Sequence, residues 1–139
     1  MDLDSYLANA FNFLDDLEEK ILKSNSNILV SYKDVNSSVK PNDLIINGVS
    51  YDISDKPVKY ILISIILPSI CIIKDLTFNE LLEKFFELDT SSTIKNLEVD
   101  GNSFVLKRTS KFAGFTFRQM NSKVSKLLEY YNIEVFYKY

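Results

Sequence analysis

The chain has 139 residues, 46% of them hydrophobic and 25% charged, with a formal net charge of -3, which is the composition of a single domain long enough to bury a core. That balance excludes a protein that coats nucleic acid by bulk charge, because such proteins are basic throughout. The absence of histidine, one cysteine (Cys71) and three widely spaced glycines (Gly48, Gly101, Gly114) remove the commonest general base and metal ligand, the usual activation of a thiol or hydroxyl, and any glycine-rich phosphate cradle.

The first segment reads as an amphipathic helix, since Leu3, Leu7, Ala10, Leu14, Leu17 and Ile21 recur at spacings of four and three. Phe11, Phe13 and Leu22 widen the stripe beyond a coiled-coil seam, which favours docking onto the chain's own sheet over pairing with a second helix. Asp15, Asp16, Glu18 and Glu19 read as the solvated face of that helix, with chelation of a divalent cation as the weaker alternative. Ser24 to Asn27 break the pattern, and Ile28 to Tyr32 have strand character. A polar connection follows over 34–43. Leu44 to Ile53 then resumes as strand, interrupted by the hairpin signal Asn47-Gly48, and either a long-looped strand pair or a tight hairpin at that dipeptide fits.

The apolar run from Val58 to Ile73 is expected to form a buried strand up to Pro68 and a shorter segment after it, because proline cannot donate to a sheet ladder. Its 13-residue core, Ile61 to Ile73, is short of the roughly 20 residues of a membrane-spanning helix. Thr77 and Glu80 have capping-box spacing, and Phe78, Leu81, Leu82, Phe85 and Leu88 mark the face of a helix ending near Asp89. Ile94 to Val99, a turn at Asp100-Gly101, and Phe104 to Phe117 read as an antiparallel pair, with Gly114 at a bulge. Asn121 or Ser122 is expected to cap a short helix carrying Val124, Leu127, Leu128 and Tyr131. Asn132 suits the exit from that helix, and Ile133 to Tyr137 alternates as a last strand.

These elements predict one α+β domain over 1–139, in which a helix and strand pair (1–57) pack on a ferredoxin-like βαββαβ arrangement over 58–139. The layout resembles that of RNA recognition motif domains. Lys111, Phe112, Ala113, Gly114, Phe115, Thr116 and Phe117 are similar to the basic and aromatic signature on their third strand. The resemblance covers little more than half the chain and implies RNA or another single strand as ligand.

Charge distribution points the same way. From Gly101 to Leu128 there are 28 residues with no acid, carrying Lys107, Arg108, Lys111, Arg118, Lys123 and Lys126, so the remainder of the chain holds about -9. With Phe115 and Phe117 as a stacking platform, these eight residues form the expected nucleic-acid-binding set, engaging RNA, single strands or a nucleoprotein without catalysis, cofactor or metal. The bland alternative makes the phenylalanines core and the lysines a solvated edge. A second functional reading is a protein-docking or inhibitor module, with a homodimer as one arrangement. It is motivated by the acidic first helix and by Tyr130, Tyr131, Tyr137 and Tyr139.

Cellular context is expected to be intracellular and cytoplasmic, with no membrane partner. One cysteine allows no internal disulfide, and the acidic start Met1-Asp2-Leu3-Asp4 lacks the basic flank of a secretory signal. Fourteen Lys against two Arg, with twelve Asn, suggest an AT-rich genome, as in many viruses and mobile elements acting in a host cell.

Overall fold

The computed structural model describes residues 28–107 and 115–139. The expected first helix, its acidic cluster, the Ser24–Asn27 break and the Gly114 bulge lie outside those residues. Six strands and three long helices are described: β1 (Leu29–Ser31), β2 (Asp43–Ile46), β3 (Val49–Asp52), α1 (Val58–Lys74), α2 (Phe78–Leu88), β4 (Leu97–Asp100), β5 (Ser103–Leu106), α3 (Phe117–Tyr130) and β6 (Val135–Lys138). Short 3-10 turns at Tyr32–Asp34 and Ile94–Asn96 complete them. The protein is α+β.

Four strands form one antiparallel sheet in the order β1-β6-β2-β3, while β4 and β5 pair separately as a hairpin. Register places Leu44 opposite Tyr137 and Ile46 opposite Val135. These four side chains are fully buried, so they define the covered face of the sheet. Ile45 and Phe136 are also paired, and alternation puts them on the opposite face. They are only half-buried.

Local signals account for several elements. Asn47 (φ 51°) and Gly48 (φ 80°) both take the left-handed conformation that a two-residue hairpin turn demands, joining β2 to β3. Helix α2 begins with the expected box: the Glu80 amide donates to Thr77 Oγ1 at 3.1 Å and the Thr77 amide to Glu80 Oε1 at 3.0 Å. Asn132 (φ 55°) ends α3, and the Ile133 amide donates back to the Leu128 carbonyl at 2.9 Å, a left-handed exit of the kind glycine or asparagine favours.

Two expected strands give way to helix, one along its length and one at its far end. The run from Val58 to Ile73 belongs to α1, with Ile61, Leu62, Ile65, Ile66, Leu67, Ile70 and Cys71 buried. Pairs recurring at about four residues are a helical pattern, and a run of this length exceeds most strands. Pro68 does not end the helix. Residues Ile61–Ile66 widen into a π-helical stretch, which accommodates a ring that would clash with the carbonyl four residues back. Ser69 Oγ donates to the Ile65 carbonyl at 2.6 Å, occupying an acceptor where the normal ladder is disturbed.

The second correction concerns the segment Phe104 to Phe117. Its strand stops at Leu106, and Phe117 is the first residue of a 14-residue helix capped by Thr116, not by Asn121 or Ser122. A second capping box causes this: the Gln119 amide donates to Thr116 Oγ1 at 3.1 Å and the Thr116 amide to Gln119 Oε1 at 3.0 Å. From residue 58 onward the order is thus helix, helix, strand, strand, helix, strand. The ferredoxin-like arrangement is not formed, because its leading strand is α1 and its middle pair lies outside the main sheet.

The core lies between the covered face of the sheet and the helices. Phe85, Leu81, Phe117, Val124, Leu127, Leu128 and the buried residues of α1 meet Leu44, Ile46, Val135 and Tyr137 in one cluster. One polar thread crosses it. Tyr137 Oη donates to Asn121 Oδ1 at 2.8 Å, and Asn121 Nδ2 donates to the Tyr32 carbonyl at 2.8 Å, which satisfies an otherwise costly buried amide. Burial pushes the Tyr137 phenol well above its ordinary range, so it remains a neutral donor.

Candidate functional site

The eight residues expected to bind nucleic acid are not presented together. Arg108 and Lys111 lie outside the described residues. Phe117 is 1% exposed and packs edge-on against Tyr137, with ring centroids 4.7 Å apart; it is a core side chain, not half of a stacking platform. Phe115 is half-buried and packs on the core. Lys107 is exposed just after β5, and its amide donates to the Asn96 carbonyl at 2.7 Å.

Lys123 and Lys126 converge on a carboxylate. Lys126 Nζ is 3.1 Å from Asp89 Oδ2, Lys123 Nζ is 3.7 Å from the same oxygen, and Lys123 Nζ also donates to Ser91 Oγ at 3.0 Å. Asp89 is 2% exposed and accepts from the Ser91 amide at 2.9 Å. Burial raises its pKa. The hydrogen bonds with Ser91 and the cations Lys126 and Lys123 together outweigh that, leaving the carboxyl below its usual range. Two cations of the acid-free segment therefore fasten α3 to the end of α2.

A pH prediction follows from the sign of that shift. Asp89 contributes stability that is present above its unfolded pKa and is lost as pH falls through the depressed folded value. Relative to Asp89→Asn, the wild type should lose denaturant midpoint progressively below about pH 4, and the two curves should run parallel at neutral pH. Equal acid limbs would show that the carboxylate is not held by the lysines.

Arg118 is exposed in the first turn of α3. At about 100° per residue, it lies about 80° around the helix from Lys126 and about 140° from Lys123. It faces a different groove, beside Lys33 and the Tyr32–Asp34 turn.

The tyrosines expected to form a C-terminal patch also separate. Tyr137 and Tyr139 are buried. Tyr130 is exposed, stacks edge-on with Tyr131, and is covered by Lys84 Nζ at 4.5 Å.

Sequence reasoning missed a surface on α1. Tyr60, Ser64 and Ile72 are exposed and Pro68 is half-buried, a row at steps of four along the side of the helix away from its buried residues. Ile72 is 81% exposed, the largest value given for a large hydrophobic side chain among the described residues. Its neighbour Ile73 lines a hollow of about 420 Å³ between the Asn47–Gly48 turn and the end of α1, where Ile45 and Phe136 also emerge. The signal was in the sequence as Tyr60, Ser64, Pro68 and Ile72, but a strand reading assigns these four to one face of a sheet instead.

Chemistry at other groups is quiet. Burial and Glu80 push the Cys71 thiol up to about 11, and its Sγ lies 3.8 Å from the Thr77 carbonyl, so the thiolate a nucleophile requires is disfavoured. Among the described residues, no three His, Cys, Asp or Glu side chains gather as a metal-ligand set. No single helix among them is long and apolar enough to cross a membrane.

These features define a small α+β chain whose antiparallel sheet is covered on one face by helices and whose helix α1 keeps Tyr60, Ser64, Pro68 and Ile72 on its outer side. Compared with family models, curated proteins and solved structures, the chain matches none.

Proposed function

We propose that this protein is a non-catalytic interaction module that docks through the outer row of α1, and that the occupant of that row is a second copy of the chain. The observation carrying the proposal is Ile72, almost fully exposed in line with Tyr60, Ser64 and Pro68; isolated apolar residues on a surface are ordinary, whereas an aligned row is a docking feature.

Self-pairing is favoured by the row's symmetry. In an antiparallel arrangement about a two-fold axis, Tyr60 of each copy meets Ile72 of the other, and the small Ser64 faces the Pro68 ring, so that the helices approach closely. The antiparallel helix dipoles align favourably. The row spans about 18 Å of helix, a small interface even with Ile63 and Ile73 beside it, so micromolar rather than nanomolar pairing is expected.

Sedimentation across a concentration series tests this. The wild type should pass from monomer to dimer in the micromolar range, and Ile72→Glu should remain monomeric with an unchanged melting temperature, since so exposed a side chain adds little to folding. A wild type that is monomeric throughout overturns the proposal and leaves a different protein as the occupant. Nucleic-acid binding is the second reading. Among the described members of its residue set, Lys107 and Arg118 are the exposed cations that make no ion pair with a described residue, which places it behind docking.

A further inference from the structure

Where α3 passes the Tyr32–Asp34 turn, an open groove of about 410 Å³ combines features that self-docking does not use. Arg118, Ser122 and Ser125 lie on one strip of α3, and Lys33 is on the facing turn. Neither Arg118 nor Lys33 makes an ion pair with a described residue. Both are exposed. Arg118 belongs to the first turn of a 14-residue helix, so the positive end of the helix dipole reinforces it. The one acid lining the groove, Glu129, is eleven residues further on, about 16 Å along the axis from Arg118, although its charge reaches the Tyr32 phenol, over whose ring Lys33 Nζ lies at 5.7 Å.

The polar floor is already satisfied. Asn121 uses its side chain on Tyr32 and Tyr137, and Ser125 Oγ donates to the Asn121 carbonyl at 2.6 Å, whereas the Ser122 hydroxyl is exposed on the same strip. Two cations, a hydroxyl and a helix dipole suit a dianion with three acceptor oxygens better than a single carboxylate. The volume lies within the range of small-molecule sites.

We infer that this groove binds a phosphate monoester of about nucleotide size, with the Arg118 guanidinium forking two phosphate oxygens, Lys33 supplying the second positive charge and the Ser122 hydroxyl the third donor. The site is independent of self-pairing through α1.

The test is titration of the full chain, followed by amide NMR, with inorganic phosphate, with adenosine monophosphate, and with single-stranded oligonucleotides of increasing length. Saturable shifts should centre on Lys33, Arg118, Ser122 and Ser125, and the nucleotide should bind more tightly than inorganic phosphate. Arg118→Ala and Lys33→Ala should each weaken nucleotide binding about tenfold or more, and Lys107→Ala should leave it unchanged. Shifts spread evenly over the surface lysines, or an unaltered affinity in Arg118→Ala, overturn the inference. So does an affinity that climbs with strand length and falls equally in Lys107→Ala and Arg118→Ala, which would reveal an extended polyanion surface.

Discussion

Phe117→Ala is expected to lower the unfolding free energy by about 3–5 kcal/mol, the usual cost of deleting a fully buried aromatic ring. The side chain is 1% exposed, opens α3 as its first helical residue and meets the Tyr137 ring edge-on. The substitution therefore leaves a cavity where helix and sheet join and also removes an aromatic pair of about 1 kcal/mol. Chemical denaturation measures it directly. Were Phe117 instead a stacking platform in solvent, the midpoint would hardly move, so an unchanged midpoint would overturn the placement of this ring in the core.

The same residue shows how far the sequence could be read. Phe115 and Phe117, two apart and followed by Arg118, have the alternation of a half-exposed strand, and a strand reading puts both rings on one face. Thr116 and Gln119 carry the opposite message, through the same spacing that correctly located α2 at Thr77 and Glu80. Two residues of capping chemistry, three apart, outweigh two residues of alternation, because a satisfied pair of backbone donors fixes where a helix begins. Asn47-Gly48 and Asn132 were legible for a related reason: each is a local backbone requirement met by one or two residues.

Val58 to Ile73 was not legible by composition. A strand buried on both faces and a helix buried on most of its surface are equally apolar, and Pro68 signals a break in either. Spacing and length, not composition, separate them: apolar pairs at steps of about four over a run longer than most strands fit a helix. The candidate surfaces suffered accordingly, since the outer row of α1 exists only if the segment is helical. Lys123 and Lys126 could be seen as positive from the sequence, but that Asp89 would hold both depends on the docking of α2 against α3.

Asn121→Ala should cost about 2–4 kcal/mol, because it strands two partners at once. Loss of the amide leaves the Tyr137 hydroxyl without its acceptor in the core and the Tyr32 carbonyl without its donor at the floor of the groove beside α3. Each orphaned group costs about 1–3 kcal/mol. Tyr137→Phe removes one of those bonds while keeping the ring, and should be milder. Combining the two should cost less than the sum of the separate losses, since the phenylalanine no longer presents a hydroxyl to be orphaned. Strict additivity in the denaturation energies would mean that the tyrosine and asparagine do not share a hydrogen bond.

The strand order β1-β6-β2-β3 places the C-terminal strand between the two earliest ones. Leu29–Ser31 and Asp43–Ile46 never touch as neighbours; Val135–Lys138 is the strand that pairs with both, although Asp43–Ile46 also has Val49–Asp52 on its other side. On the ribosome, then, nearly a hundred residues separate the synthesis of these strands from the arrival of the one that joins them. The sheet cannot close before that strand has been made, and its closure is a long-range one whose loop entropy must be met before the contacts form. Until that moment Leu44 and Ile46 lack the strand that lies beside them in the finished sheet, a window in which the incomplete sheet is open to aggregation.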